Sequence, residues 1–181
     1  QQYPHEVIWA CRKDGKLVGM TCHLTESPEK ATRGWHQHLL GGDFNYGDPV
    51  VESVETIPSP DGSHDQLWLV VRRTLDGSTA RAIEYMEDFF DGQSDSLEDA
   101  YFVDCGLTYS GAEKTYIGSM WHLNGQTVSI LADGTEHADK VVSNGAITLD
   151  RAAFKVHIGM YVPAEGEMLR FEAGSRDGTA Q

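Results

Sequence analysis

The stretch VIWACRKDGKLVGMTC, from Val7 to Cys22, joins two apolar runs through a Lys-Asp-Gly-Lys segment. Asp-Gly between apolar runs is among the strongest short signals for a β-hairpin, because it suits a tight turn with positive φ angles. With Asp14-Gly15 as a two-residue turn, Cys11 is predicted to lie opposite Val18. An isolated hairpin is only marginally stable in water, so this one needs further strands to cover its apolar face.

A second hairpin is predicted from Asp65 to Met86, with its turn at Leu75–Ser78. Two more strands are expected between the hairpins, at 33–40 and 50–57. The segment 41–49 is predicted to be a loop, and the Pro- and Gly-containing segment 58–65 a turn.

The composition changes after Met86. Residues Glu87–Gly106 are acidic and aperiodic, which predicts a connector with one helical turn near Ser96–Asp99. Short strands at spacings of roughly 8–12 residues follow, and such spacing is typical of a sandwich or barrel. They are predicted at 115–123, 126–133, 139–149, 155–162 and 167–174.

A strand containing tryptophan recurs at Trp9 and Trp68, and more weakly at Trp121. Repeated strand units of this kind indicate propeller blades, although many Asp-Gly turns are common in any all-β protein. The predicted fold class is therefore all-β. Residues 1–90 are predicted to form propeller-like hairpins, and residues 91–181 an acidic connector and a small β-sandwich or barrel.

The composition limits the classes of function. The 181 residues include 28 acidic and 14 basic side chains, for a net charge of −14. Gripping DNA or RNA requires clustered Lys and Arg, so an acidic chain is poorly suited to it.

The sequence contains no run of 18 apolar residues, so we predict no membrane span. The three cysteines argue against a disulfide framework. The chain begins with Gln1 and ends on RDGTAQ, which predicts a fragment of a longer protein.

Few residues suggest chemistry. His36 and His38 share one face of a predicted strand and could bind a metal, but two ligands do not make a site, and a surface pair beside Trp35 is the simpler interpretation. Cys105 has no evident base partner and is equally interpreted as a small core residue. The sequence contains no nucleophile elbow, phosphate loop or dinucleotide fingerprint. We therefore predict no catalytic residue, no metal and no cofactor.

Aromatic side chains are the remaining candidates for binding, because exposed rings can stack on sugars. In an all-β chain most aromatic residues belong to the core instead. The candidates are Trp35, Tyr46, Phe89, Phe90, Tyr109 and Tyr161.

Seven motifs stand in order between His5 and Gln181. They are HEVIWACRKDGKLVGMTC, GWHQH, VVESVETIPSPDGSHDQLWLVVRRTLDG, RAIEYM, YFVDCGLTYSG, MWHLNGQTVSILADGTEHADKVVSNGAITLDRAAFKVHIGMYV and EAGSRDGTAQ. Together they resemble the tail nozzle family of short-tailed phages, whose members are similar to tail tubular protein B.

This resemblance implies a virion role without catalysis. Members of the family are long, β-rich proteins that form rings, usually of six copies, at the end of the tail. DNA passes through the ring without specific binding, and adaptor, fibre or needle proteins dock on it. The resemblance thus implies a phage tail component, assembled in the host cytoplasm.

An acidic lumen would repel phosphates and let the duplex slide, and the connector acids are candidates for lining it. An ordinary solvated loop is the simpler interpretation of these acids, which are Glu87, Asp88, Asp91, Asp95, Glu98 and Asp99. Alternatives for the whole chain are a glycan-binding or host-recognition module and, less favoured, a glycosidase or depolymerase. A close pair of carboxylates in a cleft would favour the enzyme.

Overall fold

The computed structural model describes residues 6–23 and 32–163, which form an all-β fold of three antiparallel sheets. The strands are β1 (Val7–Cys11), β2 (Leu17–His23), β3 (Thr32–His38), β4 (Val50–Pro58), β5 (Asp65–Leu75), β6 (Ser78–Tyr85), β7 (Asp104–Ile117), β8 (Thr127–Ala132), β9 (Thr135–Val141) and β10 (Ile147–Met160). The all-β prediction is confirmed.

The sheets have the strand orders β1-β2-β3, β4-β5-β6 and β7-β10-β8-β9. None of them closes into a barrel, so the barrel predicted as one option for residues 91–181 does not form within the described residues. The strands β7 and β9 remain at the two edges of the four-stranded sheet. The helical turns of the described ranges are too short to cross a membrane.

The first hairpin forms as predicted, but its register differs by one residue. Cys11 pairs with Leu17 rather than with Val18. The loop has three residues instead of two, because Gly15 takes a φ of 83° and its N–H donates to the Arg12 carbonyl oxygen at 2.8 Å. This is the turn followed by a glycine bulge that three-residue hairpin loops adopt.

The second hairpin matches its prediction more closely. Leu75 pairs with Ser78, so that Asp76 and Gly77 alone form the loop. Their φ angles of 50° and 69° are those of a mirror-image turn, whose twist matches that of the flanking strands.

Three predictions for the second half were wrong in detail. The strand β7 begins at Asp104, inside the predicted connector, and its exposed polar stretch carries no apolar alternation that would reveal a strand. The segment predicted as a strand at 115–123 ends as a 3-10 turn at Trp121–Leu123. The segment predicted as one strand at 139–149 contains a turn, because Asn144 and Gly145 both take positive φ. The predicted strand 167–174 lies outside the described residues.

Three other predictions are confirmed. They are the loop at 41–49, the turn at 58–65 and the helical turn, which the structure places at Leu97–Asp99.

A shared core gives the first hairpin the cover that it needs. Leu17 of β2 is fully buried against Val51 of β4 and against Leu67, Leu69 and Val71 of β5. The Val51 N–H also donates to the carbonyl oxygen of Gly15 at 2.8 Å. The hairpin loop is therefore anchored on the next sheet. A larger core lies on the four-stranded sheet.

We expect Gly15→Ala to destabilise the protein more than Gly77→Ala. Both residues have positive φ, which costs an alanine about 1–2 kcal/mol. At Gly77 the new methyl group would meet open space, but at Gly15 it would lie 2.7 Å from Cγ1 of Val50. That crowding adds about 1–3 kcal/mol. Urea denaturation followed by tryptophan fluorescence measures both losses, and equal losses would show that the loop is not anchored on β4.

Candidate functional site: a cleft between two sheet edges

A cleft of about 710 Å³ lies between β6 and the segment that leads into β7. Ala82–Met86 form one wall and Tyr101–Thr108 the other. The remaining lining comes from His38–Leu40, Leu69, Glu87, His122 and Val162. Because β6 and β7 are both edge strands, the cleft runs between the open edges of two different sheets.

The rim of the cleft is apolar and exposed. Ile83 of β6 is 74% exposed and Phe102 of the opposite wall is 71% exposed. The Phe102 ring makes an edge-to-face contact with Phe90, at 5.8 Å between centroids, which holds the connector against this wall. Large apolar side chains exposed together beside a cleft are typical of interaction sites.

A buried ion pair lies behind Glu84, one of the residues that line the cleft. Arg73 of β5 is 1% exposed and binds both carboxylate oxygens of Glu84, the second at 3.0 Å. Its Nε donates to the Gly41 carbonyl oxygen at 2.8 Å, and the Gly41 N–H donates to Oδ2 of Asp104 at 2.7 Å. This chain of hydrogen bonds joins β5 and β6 to the loop after β3 and to the first residue of β7.

Burial shifts the pKa values of two groups near this ion pair, Asp104 and Cys105. It raises the pKa of the Asp104 carboxyl, although the hydrogen bond from Gly41 partly opposes the shift. It also raises the pKa of the Cys105 thiol to about 11. A thiol with such a pKa is a poor nucleophile at neutral pH. Cys105 belongs to the core of the four-stranded sheet, in agreement with its interpretation as a small core residue.

The predicted histidine pair does share one face of β3. Nδ1 of His36 lies 2.7 Å from Nε2 of His38, and both rings contact Trp9 rather than the Trp35 expected from sequence. Gly19 lies between Trp9 and His36 in the sheet, and a methyl group there would lie 2.3 Å from the His36 ring.

This geometry suits packing rather than metal binding. The hydrogen bond between the imidazoles engages one nitrogen of each ring, and Nε2 of His36 lies 3.1 Å from the Thr21 hydroxyl. In residues 6–23 and 32–163, no group of three or more His, Cys, Asp or Glu side chains is placed to hold a metal ion.

A serine–histidine–aspartate cluster that the sequence analysis did not identify lies on the turn before β5. The Ser63 hydroxyl is 2.8 Å from Nδ1 of His64, whose Nε2 is 3.4 Å from Asp88. However, the same hydroxyl donates to Asp61 at 2.8 Å, so it can only accept from His64. Ser59 and the Ser63 amide also donate to Asp61 and hold the pKa of that carboxyl well below its usual range. The cluster stabilises a turn and does not activate a nucleophile.

The other predicted candidates are scattered. Trp35, Tyr46, Phe89 and Tyr161 are exposed, while Phe90 and Tyr109 are partly buried. All six connector acids are exposed. Glu87 lines the cleft, and Asp99 pairs with Lys155. Asp95 caps its own loop by accepting the Asp91 N–H at 2.7 Å. Whether these acids face a lumen stays a prediction.

One signal in the sequence points to the cleft. In RAIEYM, Glu84 is in phase with Ala82 and Met86, the positions that turn toward the protein, while Ile83 and Tyr85 are exposed. This inverts the usual pattern of apolar residues inside and polar residues outside. An inward glutamate requires a buried cation, and outward apolar residues favour an interaction surface.

A comparison with protein-family models and with curated proteins finds no match to the chain.

We expect Arg73→Met to be strongly destabilising and the double variant Arg73→Met/Glu84→Met to recover most of the loss. Removing one partner of a buried pair leaves an uncompensated charge, at a cost of about 3–5 kcal/mol. The lower end applies here, because Glu84 is 17% exposed. The control is Arg81→Met, which breaks an exposed pair with Glu52 and should change the free energy of unfolding little. Thermal or urea unfolding measures all three, and a double variant no more stable than Arg73→Met would contradict a buried pair.

We expect the stability of the protein to fall as the pH drops below neutral, in part because of His38. Burial, and secondarily His36, lower its pKa from the usual 6.5. The unfolded chain therefore takes up this proton first, so stability falls from about pH 6.5 down to the lowered pKa and then levels off. Unfolding curves across this range should show a flatter profile for His38→Gln. The control Gln37→Ala removes an exposed side chain of the same strand that does not titrate, and it should keep the wild-type profile. Identical profiles for both variants would exclude His38 as the cause.

Proposed function

We propose that this chain is a structural module of a bacteriophage tail, part of the ring at the tail tip through which DNA passes. The observation that carries the proposal is the exposed apolar cleft between the edges of β6 and β7. Such a surface favours assembly with neighbours. The motifs that resemble the tail nozzle family include β1, β2 and β4–β6, so the resemblance falls on ordered strands.

In this role the chain works through shape and charge. A tail ring also receives other tail proteins, and an edge strand beside an apolar cleft supplies a surface on which such a neighbour can dock. The net charge of −14 favours passage of DNA over its retention, because acidic side chains repel phosphates. No catalytic step is part of the proposal.

Immunogold electron microscopy tests this function. An antibody against the purified chain is applied to phage particles from a culture that produces it, with antibody pre-absorbed on the purified chain as the control. We expect gold at the distal end of the tail, because the ring lies there. Intact particles without label, with the antigen found free or on cells, would refute the virion role.

A glycan-binding module is the second candidate, and the aromatic side chains of Tyr85, Tyr101 and Phe102 in the cleft favour it. A glycan-binding screen separates it from the first. An enzyme is less favoured, although Glu84 and Asp104 do bring two carboxylates into one cleft. Both oxygens of Glu84 hold Arg73 and Asp104 accepts the Gly41 N–H, so these carboxylates already serve to hold the strands together.

A further inference from the structure

The edge of β6 carries backbone groups that face away from its sheet. The N–H of Met86, just after β6, donates to the carbonyl oxygen of Leu67 in β5 at 2.9 Å. These two residues are therefore a hydrogen-bonded pair of the antiparallel ladder. Such pairs alternate along an antiparallel ladder, so Glu84 also turns its backbone groups toward β5. The backbone groups of Ile83 and Tyr85 therefore point to the open edge. Neither residue has a backbone hydrogen bond across this edge within the described part of the chain.

The cleft lies along this same open edge. Its first wall consists of five consecutive residues, Ala82–Met86, which include side chains from both faces of the strand. Five residues of an added strand span about 17 Å. An exposed edge next to an apolar cleft is the geometry of strand addition, in which main-chain hydrogen bonds give affinity and alternate side chains enter a pocket.

The charge of the cleft indicates the chemistry of its partner. Among the described residues, its lining includes three carboxylates, Glu84, Glu87 and Asp104, and no Lys or Arg. Glu84 is neutralised by Arg73. Glu87 is exposed at the rim, and Asp88 follows it directly and is also exposed. A second copy of this acidic chain would bring like charges to this rim, whereas a basic segment would complement it.

We propose that the cleft binds an extended segment of another protein, in which apolar residues alternate with Lys or Arg, as an added strand on β6. The apolar side chains enter the cleft between Ile83 and Phe102. The basic side chains meet Glu87 and Asp88. The segment forms main-chain hydrogen bonds with Ile83 and Tyr85. This inference goes beyond the tail role and holds whether or not the chain belongs to a virion.

Amide hydrogen exchange of the full chain, followed by NMR, tests the proposal. The probe is a synthetic peptide of about nine residues in which Val and Lys alternate. One comparison peptide has Glu in place of Lys, and another has Pro in place of each Val. We expect the Val-Lys peptide to slow exchange of the Ile83 and Tyr85 amides about tenfold or more, since both become hydrogen-bonded. The two comparison peptides should leave these amides unchanged.

Two variants and a matched control show where the peptide binds. Glu87→Gln/Asp88→Asn should weaken binding about threefold to tenfold at low salt, with less effect at high salt. Ile83→Pro removes one edge N–H and should abolish the protection of the Tyr85 amide by the peptide. A circular dichroism spectrum that matches the wild type shows that this variant is folded. Should this variant fail to fold, the charge variant alone decides. The control Glu113→Gln/Glu136→Gln removes two exposed acids outside the cleft and should bind as wild type does.

Four results would overturn the proposal. One is unchanged exchange of Ile83 and Tyr85 at millimolar Val-Lys peptide, and another is equal binding of the Glu peptide. A third is protection of both amides without peptide. If this protection rises with protein concentration, a second copy of the chain occupies the edge. If it does not, another segment of the same chain covers the edge. The fourth is protection by glycans in place of the peptide, which would make the cleft a sugar site.

Discussion

The buried contact of Arg73 with Glu84 is the interaction on which the rest of the structure depends. A guanidinium that is 1% exposed needs a partner for its charge, and Glu84 provides two carboxylate oxygens in the planar geometry that arginine favours. The same side chain holds the Gly41 carbonyl oxygen, and Gly41 in turn holds Asp104. The sheet of β5 and β6, the loop after β3 and the first residue of β7 are thus linked through one cation.

The cleft is a consequence of this contact. Since Glu84 must turn inward to reach Arg73, the alternation of the strand turns Ile83 and Tyr85 outward. The backbone groups of the same two residues lie at the open edge of β6. Apolar side chains therefore occur at one edge together with backbone groups that have no partner within the described part of the chain. The proposed tail role and the proposed strand addition both use this edge, but only the second specifies the chemistry of the partner.

The sequence predicts the hairpins well and the second half less well. Asp76-Gly77 takes the expected mirror-image turn because a short loop between two apolar runs leaves few alternatives. Gly15 shows the limit, since the prediction was a two-residue turn at Asp14-Gly15, whereas the loop has three residues and its Gly15 N–H donates to the Arg12 carbonyl oxygen. The strand β7 was missed where it is exposed on both faces, because the local pattern of a solvated strand resembles that of a loop.

The candidate site was largely beyond sequence reasoning. His36 and His38 were placed correctly on one face, but their contact with Trp9 depends on the pairing of three strands. The cleft depends on contacts between residues far apart in the chain, such as Gly41 with Asp104. The inverted pattern around Glu84 is a signal in the sequence, but it became evident only with the burial pattern of β6.

Site-specific photo-crosslinking from the cleft tests the central claim, that this edge is an assembly surface, most directly. A photoreactive phenylalanine analogue replaces Phe102, which is exposed at the rim and already aromatic. The same analogue at Phe154, exposed on β10 outside the cleft, is the control. In purified phage particles we expect a single crosslinked virion protein from position 102 and none from position 154. Equal crosslinking from both positions, or none from position 102 in particles that contain the chain, would contradict the account.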